Sequence, residues 1–206
     1  MTRDQRKRAF DLVLAVPALL LSAPVQIAVA VVVAATLGRP VFFRQARPGL
    51  DGEPFELIKF RTMAVPDPSR GLTDDESRLT AVGRVLRSTS LDELPSLWNV
   101  VRGDMSLVGP RPLLMQYLPR YSPEQARRHD VRPGLTGLAQ VSGRNDLSWR
   151  QKFALDIDYV ERRSIRLDVE ILARTVSSVL RRDGINADGS ATMPLFMGDE
   201  KADPAR

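Results

Sequence analysis

The 206-residue chain contains no cysteine and only one histidine, His129. Without cysteine there is no disulfide framework, no thiolate nucleophile and no cysteine-ligated zinc or iron–sulfur site. A compartment with reducing conditions suits such a chain. A single histidine also excludes any metal site built from two histidines. If the chain is an enzyme, we therefore expect its chemistry to rest on carboxylates, hydroxyls and arginines.

Aromatic residues and lysine are also scarce. The chain has 2 Trp, 3 Tyr and 7 Phe, and they do not alternate with basic residues as in a base-stacking platform, so we expect no nucleic-acid partner. Lysine supplies 4 of the 30 basic residues and arginine the other 26. A GC-rich genome would explain this excess, and so would a need to hold phosphate groups with bidentate guanidinium groups.

The charges are distributed unevenly along the chain, whose net charge is +5. Residues 12–38 form a run of 27 uncharged residues, of which 21 are Ala, Val, Ile or Leu. The other 179 residues carry all 55 charges. We therefore predict a basic N-terminus with an apolar membrane segment at residues 1–38, a catalytic domain at 39–184 and a tail at 185–206. A domain of that length can bury its own core.

The apolar run has three interpretations. A cleaved signal peptide has a core of about 7–15 residues, and this run is longer. At about 1.5 Å per residue, a helix of this length reaches about 40 Å and would cross a bilayer core of about 30 Å. Basic residues flank both ends, however, and positive charge marks the cytoplasmic side. The flanking basic residues are Arg3, Arg6, Lys7 and Arg8 before the run and Arg39, Arg44 and Arg47 after it.

The third interpretation is a re-entrant hairpin, in which a helix enters the membrane, breaks and returns. Pro24 lies near the centre of the run and Pro17 adds a second interruption, and each proline lacks a backbone donor. Each half then spans only about 20 Å, which is too short to cross. Ser22 is placed to bond a carbonyl freed near the break. We predict this hairpin, with both ends in the cytoplasm; a proline-kinked spanning helix is the alternative.

The remaining sequence predicts an α+β fold with helices in the majority. Alternating apolar residues indicate a short β-hairpin formed by residues 40–43 and 55–60 around a turn at 49–52. Helical spacing indicates helices at 76–87, from Ser90 onward, and over 149–182. Residues 106–108 form a short buried piece, and residues 109–112 (GPRP) follow as a rigid segment.

Asp92 and Glu93 are the most informative pair. Ser90 and Glu93 match a capping box, and both acids would then merely complement a helix dipole. Alternatively, Asp92 attacks a phosphorus atom and Glu93 holds Mg²⁺, since adjacent acids point about 100° apart on a helix and suit different roles. The basic residues that favour this second interpretation lie on separate rigid segments: Lys59, Arg87 and Arg111.

Six segments together resemble a known family. They are residues 7–12, 40–45, 59–63, 90–95, 103–112 and 131–137. In this order they resemble the bacterial sugar transferase family, in its small form of monotopic phosphoglycosyl transferases. Residues 128–134 and 140–145 are most similar to the undecaprenyl-phosphate di-N-acetylbacillosamine 1-phosphate transferase type. Members of the family often carry a Ser-Pro pair at the membrane break, whereas here Ala23 separates Ser22 from Pro24.

The resemblance implies a two-step reaction at the cytoplasmic face of the bacterial inner membrane. Asp92 would attack the β-phosphorus of a UDP-sugar and release UMP, and polyprenyl phosphate would then take the sugar phosphate from the aspartate. Glu93 would bind Mg²⁺. Lys59, Arg87 and Arg111 would hold phosphates, and Arg144, with Gln140, would contact the nucleotide or stabilise its loop. A homodimer is compatible with the resemblance, which names neither the sugar nor the pathway.

Other residues and functions stay open at this point. His129 is a proton shuttle, a phosphate contact or a packed structural residue. Four acids on the C-terminal helical region suggest a solvated face: Asp156, Asp158, Glu161 and Asp168. Two competing functions are a glycosyl transferase that releases UDP, and a non-catalytic membrane-anchored module that binds anionic lipid or nucleotide.

Overall fold

The computed structural model describes residues 1–143, 147–181 and 195–198. The helices are α1 (Arg3–Leu37), α2 (Asp75–Arg78), α3 (Ala81–Ser88), α4 (Ser96–Arg102), α5 (Pro123–Ala126), α6 (Leu138–Ser142), α7 (Trp149–Arg162) and α8 (Ile165–Arg181). The strands are β1 (Phe42–Pro48), β2 (Pro54–Phe60), β3 (Ser106–Val108) and β4 (Gly134–Thr136). The predicted helix-rich α+β class is confirmed.

Two small sheets organise the domain. β1 and β2 form the predicted antiparallel hairpin, with Phe42 opposite Phe60 and Pro48 opposite Pro54. A short 3₁₀ turn, Leu50–Gly52, joins them. β3 and β4 pair in parallel. The sequence around β4 suggests only a turn, because a strand of three residues is too short to show alternation.

The main core lies where α4, β2 and β3 meet the first half of α1. Its buried members include Leu57 on β2, Leu97 and Val100 on α4, and Leu107 on β3. Ala15 of α1 is completely buried in the same cluster. The membrane segment is therefore part of the folded domain and not merely a tether in front of it.

The predicted break at Pro24 is wrong at the level of secondary structure, because α1 continues through Pro17 and Pro24 as one helix. Proline keeps a helical φ and removes one backbone donor, so neighbouring polar groups can accommodate it. The Ser22 hydroxyl donates to the Leu19 carbonyl at 3.2 Å, and Gln26 Nε2 donates to that hydroxyl at 2.9 Å. These polar groups lie on either side of Pro24.

The two halves of α1 contact the same domain. Near its start, Arg8 donates to the carbonyls of Val100 and Val101 at 2.5 and 2.7 Å. Near its end, Val29 and Val33 are buried against Phe60 of β2 and Leu86 of α3. Arg61 then donates to the carbonyls of Leu37 and Gly38. The helix is thus fixed to the domain at both ends.

The outer face of α1 carries large apolar side chains that nothing in the described chain covers. Among the described residues, α1 is the one helix long and apolar enough to cross a membrane. Only 11% of its most apolar window is buried, unlike the core helix of a soluble protein. This exposure supports membrane association. The most exposed of these side chains are Val13, Leu20, Leu21, Ile27 and Val31.

A buried polar network joins α1 to the C-terminal helices. Lys7 Nζ lies 2.9 Å from both Asp11 and Asp168, whose side chains are 2% and 1% exposed. Asp11 also accepts from the Ser106 hydroxyl at 2.8 Å and from the Leu107 amide at 3.2 Å. Tyr159 donates to Asp168 at 2.8 Å. Each buried acid therefore has a cation and further donors around it.

The prediction of a solvated acidic face is wrong for two of its four residues. Asp168 is buried in this network, and Asp156 is buried in an ion pair with Arg128 at 2.7 Å. Glu161 is exposed and pairs with Arg127 at 2.9 Å, and Asp158 is partly exposed. The spacing of these acids along the sequence could not reveal partners that lie on distant segments. The helical region predicted over 149–182 consists of two helices, α7 and α8, within the described residues.

We expect the buried polar network to stabilise the attachment of α1 to the domain. We expect Asp11→Ala to lower the free energy of unfolding by about 3 kcal/mol, because it removes one of the two buried acids of Lys7 and the buried carboxylate that accepts from two donors of β3. Asp4→Ala, which removes an exposed ion pair with Arg163, serves as the control and should cost less than about 1 kcal/mol. Denaturant unfolding in detergent measures both; equal losses would show that the buried network does not hold α1.

Candidate active site

Helix α4 is fixed along strand β2 by two buried polar side chains. The Ser96 hydroxyl donates to the Ile58 carbonyl at 2.7 Å. Asn99 accepts from the Ile58 amide at 3.1 Å and donates to the Glu56 carbonyl at 2.7 Å. The backbone groups of Glu56 and Ile58 that face α4 thereby have hydrogen-bond partners. As a result, Lys59 on β2 and the segment before α4 have a fixed separation.

The segment that precedes α4 does not form the predicted capping box. Ser90 has φ +56° and makes no side-chain cap hydrogen bond, residues Leu91–Glu93 form a 3₁₀ turn, and α4 begins only at Ser96. The Glu93 carboxylate is drawn to cations on other segments and does not turn back to the Ser90 amide. A left-handed serine is a strained conformation of the kind that clusters at functional sites.

Glu93 lies between two cations. Its Oε1 atom is 2.5 Å from Lys59 Nζ and 2.9 Å from Arg111 Nη2. Burial would raise the pKa of the Glu93 carboxyl, but the charges of Lys59 and Arg111 outweigh it and hold that pKa well below its usual range. The Glu93 charge in turn raises the pKa of Arg111, whereas burial lowers the pKa of Lys59. Glu93 is therefore ionised in the folded protein.

A buried ion pair supports the Arg111 end of this cluster. Arg128 donates to the Arg111 carbonyl at 2.7 Å while it pairs with Asp156 on α7. Pro110 and Pro112 restrict the backbone on either side of Arg111. The side chain of Arg111 is 45% exposed, so its backbone is fixed while its guanidinium group stays open to solvent.

Asp92 differs from its neighbour Glu93. It is 8% exposed, and no hydrogen bond or ion pair to its carboxyl is found within the described part of the chain. Burial, together with the Glu93 charge, raises the pKa of Asp92 to about 6, against the opposing charges of Lys59, Arg87 and Arg111. Adjacent carboxyls whose pKa values are driven apart are typical of divided catalytic roles.

The other predicted site residues are placed as follows. Arg87 is half-buried and donates to the Thr62 hydroxyl at 3.1 Å, and its charge acts on Asp92. Gln140 donates to the Leu135 carbonyl at 3.2 Å, as expected for a residue that stabilises its loop. Arg144 lies outside the described residues, so its predicted role stays a prediction.

His129 is a packed structural residue. It is 8% exposed, its Nδ1 lies 3.2 Å from the Gly49 carbonyl, and its ring contacts that of Tyr121. Burial, with the Arg128 charge, lowers the pKa of His129 to about 4, so the ring is neutral near pH 7. Of the interpretations that the sequence leaves open, the structure supports the structural one.

Arg47 is a site residue that sequence reasoning missed. It lines the same cleft as Lys59, Glu93 and Arg111. Its Nη2 donates to Gln45 at 2.5 Å, but its Nε is buried without a partner among the described residues. Burial and the Arg111 charge lower the pKa of Arg47 to about 10. The strand register could have identified Arg47, because the alternation of side chains puts residues 45, 47, 57 and 59 on one face of the hairpin.

The cleft therefore combines three cations with the paired acid Glu93, and the buried Asp92 directly precedes Glu93 in the chain. Its cavity is about 40 Å³, room for a few water molecules. A larger ligand would extend from it across the exposed side chain of Arg111. Within the described ranges, no group of three or more His, Asp or Glu residues is arranged to hold a metal ion. A divalent cation would have to share one or two carboxylates with a ligand.

Comparisons with known proteins identify a family that this chain matches. Residues 2–182 match a family model described as bacterial sugar transferase. Over 193 residues, the chain is 52% identical to the "Uncharacterized sugar transferase EpsL" of Bacillus subtilis, covering 93% of this chain and 96% of that protein.

Two further relatives have names that state an activity. The chain is 45% identical over 192 residues to a UDP-glucose:undecaprenyl-phosphate glucose-1-phosphate transferase of Caulobacter vibrioides, covering 87% of this chain and 72% of that protein. It is 39% identical over 196 residues to the undecaprenyl-phosphate galactose phosphotransferase of Salmonella typhimurium, covering 86% and 41% respectively.

Because the pKa of Asp92 is raised, we expect replacement of Asp92 to stabilise the protein at a pH where its carboxyl is ionised. A carboxyl whose pKa is higher in the folded than in the unfolded state loses stability as the pH rises from about 4 to about 6. Asp92→Asn removes that ionisation, so we expect a higher Tm than the wild type above pH 6 and an equal Tm near pH 4. Thermal unfolding across pH 4–8 measures this; a lower Tm of the variant at pH 7.5 would contradict the raised pKa.

Proposed function

The chain belongs to the bacterial sugar transferase family, and from this premise we propose that it transfers a sugar 1-phosphate from a UDP-sugar to undecaprenyl phosphate, releasing UMP. The names of the Caulobacter and Salmonella relatives support this activity. One observation carries the chemistry: within the described residues, Asp92 is a buried carboxyl without an ion pair, and it lies beside Glu93, whose own charge is already bound by Lys59 and Arg111.

The proposed reaction has two displacements at the same phosphorus atom. A carboxylate oxygen of Asp92 attacks the β-phosphorus of the UDP-sugar, and the bond to the bridging oxygen breaks, so that UMP leaves with both bonding electrons. The aspartate then carries a sugar-phosphoryl group. An oxygen of undecaprenyl phosphate attacks that phosphorus next, expelling the Asp92 carboxylate and forming the diphosphate-linked sugar lipid.

The environment of Asp92 suits a nucleophile. With a pKa of about 6 the carboxyl is mostly ionised near pH 7.5, yet it is more basic than an exposed aspartate. Burial has removed water that would otherwise solvate its charge. Glu93 carries the lower pKa because of its two cations, so it is the weaker base of the two.

The cations of the cleft are proposed to bind the diphosphate. Arg47 and Lys59 lie on one face of the hairpin, and Arg111 faces them from residues 109–112. Guanidinium groups bind phosphate oxygens in bidentate fashion, and together these cations would offset repulsion between the Asp92 carboxylate and an anionic substrate. Because Arg111 is partly exposed, it can exchange a contact with Glu93 for one with phosphate. Arg87 would add charge behind Asp92.

Glu93 and its neighbour Asp92 fit Mg²⁺ through their donor chemistry. Mg²⁺ is typically held by one or two carboxylates together with substrate phosphates and water, and does not require a cluster of three protein acids. Glu93 Oε1 accepts hydrogen bonds from both Lys59 and Arg111, which leaves the Oε2 atom for a metal. Glu93 would thus be the protein ligand, and the ion would supply charge neutralisation on the phosphates.

The contacts of α1 support a segment whose two ends lie on the same side of the membrane. Ala15 and Val33 are both completely buried against the same domain. A helix that crossed a bilayer core of about 30 Å would carry one of these residues away from it. Together with the basic flanks, these contacts support our proposal that both ends and the domain lie at the cytoplasmic face, where undecaprenyl phosphate would present its head group. The di-N-acetylbacillosamine subtype and a homodimer stay predictions.

The nucleophile assignment predicts the product and its dependence on one side chain. We expect UMP and no UDP in assays with a UDP-sugar and undecaprenyl phosphate, and no detectable UMP from Asp92→Asn. Asp130→Asn is the matched control, since it changes an exposed acid on another segment and should retain full activity. Nucleotide chromatography measures both. UDP as the product would favour a direct glycosyl transferase, and substantial turnover by Asp92→Asn would exclude Asp92 as the nucleophile.

The topology can be tested with single cysteines, because the chain has none of its own. Thr2→Cys and Arg44→Cys place one thiol before and one after α1. We expect an impermeant maleimide to label both from the cytoplasmic face in sealed inverted vesicles, and neither in vesicles of the opposite orientation. Labelling of the two sites from opposite faces would show that α1 crosses the membrane.

A further inference from the structure

A second cavity of about 270 Å³ lies where the start of α1 meets the junction of α7 and α8. It shares no lining residue with the cleft around Glu93. Most of its charged lining is basic, although the cavity is separated from the proposed phosphate chemistry. Its charged lining residues are Arg3, Asp4, Arg6, Lys7, Arg163 and Asp168.

The four cations of this cavity are only partly neutralised. Arg163 pairs with Asp4 at 2.9 Å, and Lys7 is held by Asp168 and by Asp11 behind it. Arg3 donates to the Arg163 carbonyl, which carries no charge. Within the described chain, no carboxylate lies within ion-pair distance of Arg3 or Arg6. Two guanidinium groups are therefore left for an anion from outside.

The surroundings of the cavity are apolar on one side. The uncharged run begins at Leu12, about 7.5 Å along the helix from Lys7. Ile165, which lines the cavity, is 42% exposed, and Val169 and Val176 continue an exposed apolar stripe along α8. Unpaired cations beside apolar surface are the arrangement expected at the head-group level of a bilayer.

We propose that this cavity binds the phosphate of an anionic phospholipid head group. Arg3 and Arg6 contact the phosphate oxygens, and the acyl chains lie along Ile165 and the stripe on α8. The site is separate from that of the acceptor lipid, whose phosphate has to reach Asp92. Because the cavity is built from both α1 and the α7–α8 junction, a bound head group fixes the depth and tilt of the domain at the membrane.

Native mass spectrometry of the full chain in detergent tests the site, with phosphatidylglycerol as the probe. We expect one retained phosphatidylglycerol and little retention of phosphatidylcholine. Arg6→Gln should weaken phosphatidylglycerol binding about fivefold, as expected for one basic residue near a membrane surface. Arg3→Gln/Arg6→Gln should weaken it further. Arg6 makes no side-chain hydrogen bond or ion pair within the described residues, and an unchanged Tm would verify that the variant is folded.

Two control variants locate the bound lipid. Arg166→Gln removes the same charge from an exposed side chain of α8 that does not line the cavity, and it should leave binding unchanged. Arg111→Gln reports on lipid held in the cleft around Glu93, and it should also leave binding unchanged. UMP release by Arg6→Gln in detergent should stay at the wild-type rate, so the two proposals can fail independently.

Several results would overturn this site. Equal weakening by Arg6→Gln and Arg166→Gln would indicate a diffuse surface charge, and loss with Arg111→Gln would place the lipid in the cleft. Equal retention of phosphatidylcholine would remove the selectivity for an anionic head group. Displacement of the lipid by inorganic phosphate at the same concentration would show that the cavity binds free phosphate.

Discussion

The ion cluster of Lys59, Glu93 and Arg111 is the interaction on which the rest of the site depends. It fixes the charge of Glu93, and thereby leaves Asp92 as the carboxyl whose pKa burial can raise. Three separate parts of the fold have to be in place for it to form. The hairpin supplies Lys59, the Ser96 and Asn99 contacts hold α4 against β2, and the Arg128–Asp156 pair holds the backbone of Arg111. Several buried polar contacts thus fix the positions of the residues that line this small cleft.

The membrane segment is joined to the domain by the same kind of interaction. Charged residues at the start of α1 are buried with partners from β3 and α8, while its later half packs on β2 and α3. Helix α1 is therefore rigidly connected to β2, which supplies Leu57 and Lys59 to the cleft. For the proposed reaction between a water-soluble nucleotide sugar and a lipid phosphate, this connection would hold Asp92 at a defined height above the bilayer.

Local patterns predicted the local parts of the structure. Alternation in residues 55–60 indicated the hairpin, and residue types together with the family resemblance indicated Asp92, Glu93, Lys59 and Arg111 as the site. The features that were predicted wrongly or missed involve residues whose partners are distant in sequence. The capping box at Ser90 is lost because Glu93 binds cations 34 and 18 residues away. Asp156 and Asp168 are buried for the same reason, and β4 becomes a strand only by pairing with β3. Prolines in α1 suggested a break, but a helix can retain proline when side chains and packing support it.

The central claim is that Asp92, and not its neighbour Glu93, carries the phosphoryl group. Chemical reduction of the trapped intermediate tests it most directly. The wild-type protein is mixed with a UDP-sugar from which it releases UMP, without lipid acceptor, then denatured and treated with borohydride, which reduces an acyl phosphate to an alcohol. Peptide mass spectrometry then locates the reduced residue. We predict homoserine at position 92; a reduced glutamate at position 93, or no reduced residue despite UMP release, would contradict the assignment.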